Sequence, residues 1–231
     1  MMHVETTERW HATFPGGHVR VLLIGNVANT KRSTPLDAQK REVEARLRER
    51  YADFSRDDFL GLETLKAYRD YYKRFGNTYH VQGQLESVVH KGKSLPNVSP
   101  LVDANFTAEL ETLVLTAGHD ADLLEEPLTI DATKGGEAFT QMNGSKRSLK
   151  ADDMMMSDAE GIICTILYGQ DKRTHISPKT RRALYVAYAP VGVPREEVTR
   201  QLELIRENVL LFAPDAEVEG LELYTARGSN A

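Results

Sequence analysis

Four short segments of the chain carry residue types that can bind or hydrolyse a substrate. The first is KGKSLPNVSPLVDANF (91–106), in which Lys91 and Lys93 precede a turn that contains Asn97. A helix is predicted to begin at Pro100, and the free N–H groups of a helix start bind anionic or carbonyl oxygens. The segment is therefore either one wall of a binding site or a helix start that only satisfies its own backbone.

The second segment is AGHDAD (117–122), where a predicted helix ends at Gly118 and His119 follows on a predicted loop. A loop histidine between carboxylates can orient a water molecule or a substrate hydroxyl, and Asp120 and Asp122 supply those carboxylates. The alternative is a surface histidine that happens to lie beside two acids.

The third segment, MMMSDAEGIICTIL (154–167), places Asp158 and Glu160 at the mouth of an apolar strand. Carboxylates in that position can bind the ammonium or guanidinium group of a ligand. Thr165 lies on the same strand, while Cys164 is predicted to be a small buried hydrophobic residue. The alternative is a polar turn between two strands.

The fourth segment is KRTHISPKTRR (172–182), in which six of eleven residues are Lys, Arg or His. In a chain of net charge −5, such a cluster is a candidate contact for a phosphate backbone. It is also typical of a solvated loop and strand edge, where lysines oppose edge-to-edge pairing.

Composition excludes several classes of protein. The chain has 231 residues, a net charge of −5 and one cysteine, so a whole-molecule basic footprint and a disulfide framework are both excluded. No nucleotide-binding, zinc-protease or hydrolase motif occurs, and the seven histidines show no metal-ligand spacing. No metal or other cofactor is therefore predicted. The absence of a signal sequence or a membrane-length apolar run predicts a cytoplasmic location without membrane association.

The order of predicted elements indicates an α+β fold. The apolar run HVRVLLIGNV (18–27) predicts a buried strand that extends the sheet. Helical periodicity then covers most of the chain to residue 117, and a period of two begins near residue 127. Helices are predicted at 36–51, 57–76, 81–91, 101–117 and 194–212, and a closing strand at 217–225.

Two of these regions resemble the B3/B4 domain of the phenylalanyl-tRNA synthetase beta chain. They are LPNVSPLVDANFTAELETLVLTAGHDAD (95–122) and MSDAEGIICTILYGQDKRTHISPKTRRALYVAYAP (156–190). The resemblance extends from about residue 58 to 212, and the order and spacing of its motifs carry it. Where the synthetase has a strand of small residues, this chain has CTILYGQ, so Tyr168 and Gln170 predict a different specificity.

The resemblance implies an α+β fold with a mixed or antiparallel central sheet and flanking helices. Residues 1–56 would extend an editing domain at 57–226, and 227–231 would form a flexible tail. The implied function is that of a freestanding trans-editing deacylase, which hydrolyses the ester of a mischarged tRNA. Some freestanding members act on canavanyl-tRNA. The alternatives are a non-catalytic module that binds tRNA or an amino acid, and an interaction domain that uses the charged helix at 36–50.

The resemblance also assigns expected roles to the candidate residues. An aminoacyl ester is already activated, and the vicinal ribose hydroxyl assists its hydrolysis, so no side-chain nucleophile is required. The expected polar groups for catalysis are Asn97, the helix start at 100–101 and His119. The residues expected to bind the substrate side chain are Glu160, Asp158 and Thr165. The cations expected to contact tRNA, the only predicted partner, are Lys91, Lys93, Lys172, Arg173 and Arg181.

Overall fold

A four-stranded antiparallel sheet forms one half of the core. The computed structural model of the protein describes residues 2–227, so the tail expected at 227–231 lies, apart from Arg227, outside the described residues. The strands of the sheet, in spatial order, are β11 (Glu217–Thr225), β2 (His18–Gly25), β10 (Ala183–Ala189) and β3 (Thr116–Asp120). β2 and β10 are interior strands, which explains their nearly continuous apolar sequences.

A second sheet has five strands, in the order β1 (Val4–Thr6), β4 (Leu128–Ala132), β7 (Met154–Asp158), β8 (Gly161–Thr165) and β9 (Gly169–Gln170). β1 runs parallel to β4, and the other pairs are antiparallel. A separate two-stranded hairpin consists of β5 (Ala138–Thr140) and β6 (Lys146–Ser148). The mixed and antiparallel sheets with flanking helices confirm the predicted α+β class.

Seven α-helices surround the sheets in the described part of the chain. They are α1 (Glu8–Thr13), α2 (Thr34–Arg50), α3 (Arg56–Gly61), α4 (Glu63–Lys73), α5 (Val81–Lys91), α6 (Pro100–Thr112) and α7 (Arg195–Leu210), and a short 3-10 helix covers Ala121–Leu123. Between residues 2 and 227, no helix combines the length and the apolar character needed to span a bilayer.

Several predicted helix ends are confirmed by their capping contacts. The Ser33 hydroxyl accepts the Leu36 N–H at 3.3 Å, with a proline at the helix start. Ser55 and Asp58 form a reciprocal capping box at the start of α3. Gly92 ends α5 in the left-handed conformation at φ 62°, which glycine adopts without a Cβ penalty.

Two helix predictions are wrong. The helix predicted at 101–117 ends at Thr112, because Leu113 turns left-handed at φ 63° and the chain enters β3. His119 therefore lies in a strand paired with β10, and not on a loop. The helix predicted at 57–76 is divided by Leu62, whose backbone is extended.

The N-terminal 56 residues contribute to both sheets. β1 pairs with β4, and β2 lies between β11 and β10, so the predicted strand at 18–27 is interior to its sheet. α2 packs against α5 and α6, the two helices beside which a pair of cavities lies.

Candidate functional site

Two adjoining cavities lie beside α5 and α6. The outer chamber has a volume of about 340 Å³ and is bounded by α5, α6 and residues 93–96. The inner chamber, of about 220 Å³, lies between α6, the start of β3 and the β8–β9 hairpin. His80, Phe106 and Glu109 line both chambers, so the two are neighbours that share part of their walls.

One face of α6 supplies the shared wall. Phe106, Glu109 and Leu110 follow at helical spacings of three and four residues and so point the same way. A buried amide network holds this helix against its neighbours. The Asn105 amide donates to the Thr116 carbonyl at 2.8 Å, and the Gln201 amide donates to Asn105 Oδ1 at 3.1 Å. The register of α6 against β3 and α7 is thereby fixed.

Glu109 is the most unusual residue of the site. Its side chain is buried, with 6% of the residue exposed. Oε2 accepts the Thr116 N–H at 3.3 Å, whereas Oε1 has no hydrogen bond and no cationic side chain of residues 2–227 pairs with it. Burial raises the pKa of Glu109 to about 8. The carboxyl is therefore mainly protonated at pH 7 in the empty site.

Apolar and aromatic side chains make up most of the inner chamber. Tyr72 donates its hydroxyl to the Ile166 carbonyl at 2.7 Å, which fixes the ring against the hairpin. Cys164 also lines the chamber, and burial raises the pKa of its thiol far above the ordinary value, so it is no nucleophile. A mainly apolar cavity with a few polar groups on its wall, here Glu109, Thr165 and Gln170, is typical of a small-molecule site.

Helix α2 supports the wall of the outer chamber through the side chain of Lys40. Lys40 is completely buried, and its Nζ donates to the Pro96 carbonyl at 2.7 Å, to Asn97 Oδ1 at 2.5 Å and to Asp103 Oδ2 at 2.9 Å. Asp103 Oδ1 accepts the Val98 N–H at 2.9 Å. Asn97 is thus an exposed residue on a turn that an ion pair clamps to α2 and α6.

A second acid on α2 holds the adjacent residues. Glu44 is buried, and its Oε1 accepts the Leu95 N–H at 2.7 Å, while Oε2 accepts the Ser94 hydroxyl at 3.3 Å. Arg41 neutralises this carboxylate at 2.8 Å. Because Ser94 and Leu95 line the outer chamber, its shape depends on α2.

His119 lies away from both chambers. It is completely buried in β3, and Nδ1 is 2.7 Å from the Thr174 hydroxyl oxygen. That hydroxyl donates to Asp171, so Nδ1–H of His119 is the donor and Nε2 is left without a partner. Burial lowers the pKa of His119 to about 3, so the ring is neutral at pH 7.

Glu160 lines a separate, open cleft of about 500 Å³, which shares no lining residue with the two chambers, and Asp158 is buried next to it in sequence. Arg173 donates to both Asp158 oxygens at 2.7 and 2.6 Å and pairs with Glu160 at 3.2 Å. Asp158 also accepts three backbone N–H groups. The carboxylate therefore closes a turn, and a single pocket uniting Asn97, His119 and Glu160 is not formed.

The other predicted residues divide between the sites. Thr165 lines the inner chamber, where its hydroxyl accepts the Tyr168 N–H at 3.0 Å. Lys93 lines the outer chamber, and Lys91 is exposed at the end of α5. Lys172 and Arg173 line the separate cleft. Arg181 is exposed and does not line it.

The two chambers offer binding and positioning groups without a nucleophile–base pair. Ser87 donates its hydroxyl to the Gly83 carbonyl at 2.7 Å, and Ser94 donates to Glu44, so neither serine is paired with a histidine. Within residues 2–227, no three His, Cys, Asp or Glu side chains group as metal ligands. What the lining residues supply is a mainly apolar surface with polar groups at Glu109, Thr165 and Lys93.

Comparison with known proteins identifies a family. Residues 67–205, more than half of the chain, match the family described as "B3/4 domain". No curated protein matches the chain. One similar solved structure is that of an N-terminal fragment of the phenylalanyl-tRNA synthetase beta-subunit from Pyrococcus horikoshii, with 10% sequence identity and a TM-score of 0.49. That match covers 96% of this chain and 50% of the fragment.

Proposed function

Because this chain belongs to the B3/4 domain family, we propose that it is a trans-editing aminoacyl-tRNA deacylase, which hydrolyses the ester of a mischarged tRNA. The observation that carries the proposal is the pair of chambers that share Glu109 in their walls. Apolar and aromatic side chains make up most of the inner chamber, and Lys93 lies on the wall of the outer one. An aminoacyl side chain fits the first chamber and the terminal ribose the second.

The proposed mechanism relies on positioning. The ester is activated, and its vicinal hydroxyl lies beside the carbonyl, so a water molecule held in line suffices for hydrolysis. Asn97 contributes by supporting the turn that carries Pro96 into the outer chamber. His119 contributes indirectly. It is part of β3, and two other residues of that strand, Thr116 and Ala117, line the inner chamber. Neither residue touches the substrate in this arrangement.

The tRNA backbone is proposed to follow the exposed cations. Lys93 borders the outer chamber, and Lys91 is two residues earlier at the end of α5. Lys172 and Arg181 provide exposed charge farther along the chain. Arg173 contributes least, because three carboxylates within 4.0 Å already neutralise it.

The direct test of this function is a panel of tRNAs, each charged with an amino acid other than its own. Purified protein is expected to accelerate hydrolysis of at least one ester above the rate in buffer, while the correctly charged tRNA is spared. The released amino acid is measured over time with heat-inactivated protein as the control. Hydrolysis at the buffer rate across the whole panel would overturn the proposed function.

A non-catalytic binding module is the second candidate. The observation that favours it is the absence of a nucleophile–base pair in the chambers, together with the burial of His119. A binding module would be thermally stabilised by an amino acid or by tRNA and would release no amino acid from any charged tRNA.

A further inference from the structure

A small cavity of about 160 Å³ lies where α2 and α6 end and where α4 and α7 begin. It shares no lining residue with the two chambers. Glu111 lines it from α6 and follows Glu109 by two residues, which is a rotation of about 200° around a helix. The two acids therefore lie on opposite faces of α6, and the cavity is separate from the proposed site of hydrolysis.

Two hydroxyl groups of buried residues line this cavity without a hydrogen-bond partner. Tyr51 is 3% exposed and Thr64 is 6% exposed, and neither hydroxyl forms a hydrogen bond with another group of residues 2–227. Both oxygens keep some accessible surface, which places them at the cavity wall. Buried hydroxyl groups are ordinarily hydrogen-bonded, so these two are suited to an acceptor that a ligand supplies.

The start of α4 adds further donors to the same wall. No side chain caps this helix of 11 residues, so the N–H groups of its first turn have no acceptor within the helix. Leu62, Glu63 and Thr64 line the cavity, which brings that first turn to its wall. The start of a helix attracts anionic oxygens, because its N–H groups and its dipole both favour negative charge.

Arg50 supplies a guanidinium group that forms no ion pair with any carboxylate of residues 2–227. Its Cζ lies 5.1 Å from the centre of the Tyr51 ring, and this contact orients the group. Arg50, the two hydroxyls and the start of α4 together form a donor set that fits one carboxylate group.

The acids at the cavity oppose a ligand that carries negative charge alone. Glu111 pairs with Arg46 at 3.0 Å and with Arg200 at 3.6 Å, and its buried Oε1 has no hydrogen bond. Arg200 also pairs with Glu197 at 3.5 Å, so one arginine serves two acids. Glu63 adds an exposed carboxylate. A ligand that suits both sets of groups therefore carries an ammonium group as well as a carboxylate.

We propose that this cavity is a separate binding site for a small zwitterion, such as free glycine, alanine or serine. The carboxylate of the ligand accepts hydrogen bonds from Arg50, Tyr51, Thr64 and the start of α4, and its ammonium group donates to the acids of α6 and α7. A volume of about 160 Å³ restricts the ligand to a small molecule, since ordinary small-molecule sites have about 300–1,000 Å³. The site does not depend on the deacylase function.

Calorimetry at pH 7 with glycine, alanine and serine tests the binding. Saturable binding of at least one of the three is expected. Propionate lacks the ammonium group and ethylamine lacks the carboxylate, so each should bind at least about tenfold more weakly. Inorganic phosphate serves as the probe for a plain anion site. Failure of all three amino acids to bind, or equally tight binding of propionate or phosphate, would overturn the inference.

Three variants locate the bound molecule. Tyr51→Phe removes one hydroxyl and keeps the buried ring, whereas Arg50→Met and Glu197→Gln change side chains that are not buried, so all three should fold. Each variant should weaken binding by about 10- to 100-fold, as hydrogen bonds to a charged group imply. Unchanged affinity in Arg50→Met and Tyr51→Phe would place the molecule elsewhere and contradict the proposed site.

Two control variants complete the test. Arg206 is also exposed and forms no ion pair within the described residues, but it does not line the cavity. Arg206→Met should bind as wild type does, and a loss equal to that in Arg50→Met would show a general effect of charge and refute the site. Gly83 lines the outer chamber, so Gly83→Trp should also leave the affinity unchanged. Loss of binding in Gly83→Trp would place the amino acid in the chambers and overturn the inference.

Discussion

Replacing Lys40 by methionine is expected to lower the free energy of unfolding by about 3–5 kcal/mol, because the Asp103 carboxylate would stay buried without its cation. Lys40 has no exposed surface, and its three acceptors are Asp103, Asn97 and the Pro96 carbonyl. Methionine matches the length of the lysine stem but donates no hydrogen bond. Chemical denaturation at pH 7 measures the change.

Two further variants show whether the ion pair is the cause. Lys40→Met combined with Asp103→Asn should recover part of the loss, since asparagine removes the buried charge and still accepts the Val98 N–H. Arg32→Met, which breaks the exposed pair with Asp37 at 3.8 Å, should cost no more than about 1 kcal/mol. A loss in Lys40→Met as small as that in Arg32→Met would disprove the proposed clamp.

The second large effect concerns Glu109 and pH. The folded-state pKa of about 8 lies above the ordinary value of 4.5, so the folded protein holds this proton over a range in which the unfolded chain has lost it. The resulting stabilisation of the fold is present below pH 4.5 and is lost as pH rises through 8. Glu109→Gln stays neutral, so its stability should exceed that of wild type by a few kcal/mol at pH 8–9.

Parallel denaturation of wild type, Glu109→Gln and Glu111→Gln between pH 5 and 9 tests this expectation. Subtracting the curves cancels other titrating groups, such as Asp153, whose pKa burial raises to about 6. The advantage of Glu109→Gln should grow with pH, and Glu111→Gln should show no such growth. An advantage that is flat across the range would mean that Glu109 is already ionised at neutral pH.

Elements with strong local signals were predictable from the sequence. The helices predicted to begin at 36 and 57 and to end at 91 begin or end within two residues of those positions, where Ser33, Ser55 and Gly92 form the caps. The apolar run of β2 predicted a buried strand, and the order of helices and strands predicted the α+β class. In each case, the decisive interactions lie within a few residues of one another.

The end of α6 depends on contacts that the local pattern does not contain. The periodicity of α6 continues beyond Thr112, but pairing with β10 draws residues 116–120 into the four-stranded sheet. The short strand β1 likewise exists only because β4 pairs with it from more than 120 residues away. Tertiary hydrogen bonds overrode local preference at both places.

The site was predicted only in part. Thr165 and Lys93 line the chambers, whereas His119 and Glu160 lie outside them, because their expected roles were inferred without knowing which sheet surface each would occupy. Glu109 was not predicted as a site residue, because an acidic residue in a helix ordinarily faces solvent. Its signal was its position three residues after Phe106, on the edge of the apolar stripe of α6.

Rates of tRNA deacylation by Gly83→Trp and Gly61→Trp would test the central claim most directly. Both glycines are helical, and an added Cβ meets no atom within 4 Å at either position. Only Gly83 lines the outer chamber. Gly83→Trp should fill that chamber while preserving stability, and so slow hydrolysis of the substrate found in the tRNA panel by about 100-fold. Gly61→Trp should retain the wild-type rate, and an equally active, folded Gly83→Trp would contradict the assignment of the chambers as the site of hydrolysis.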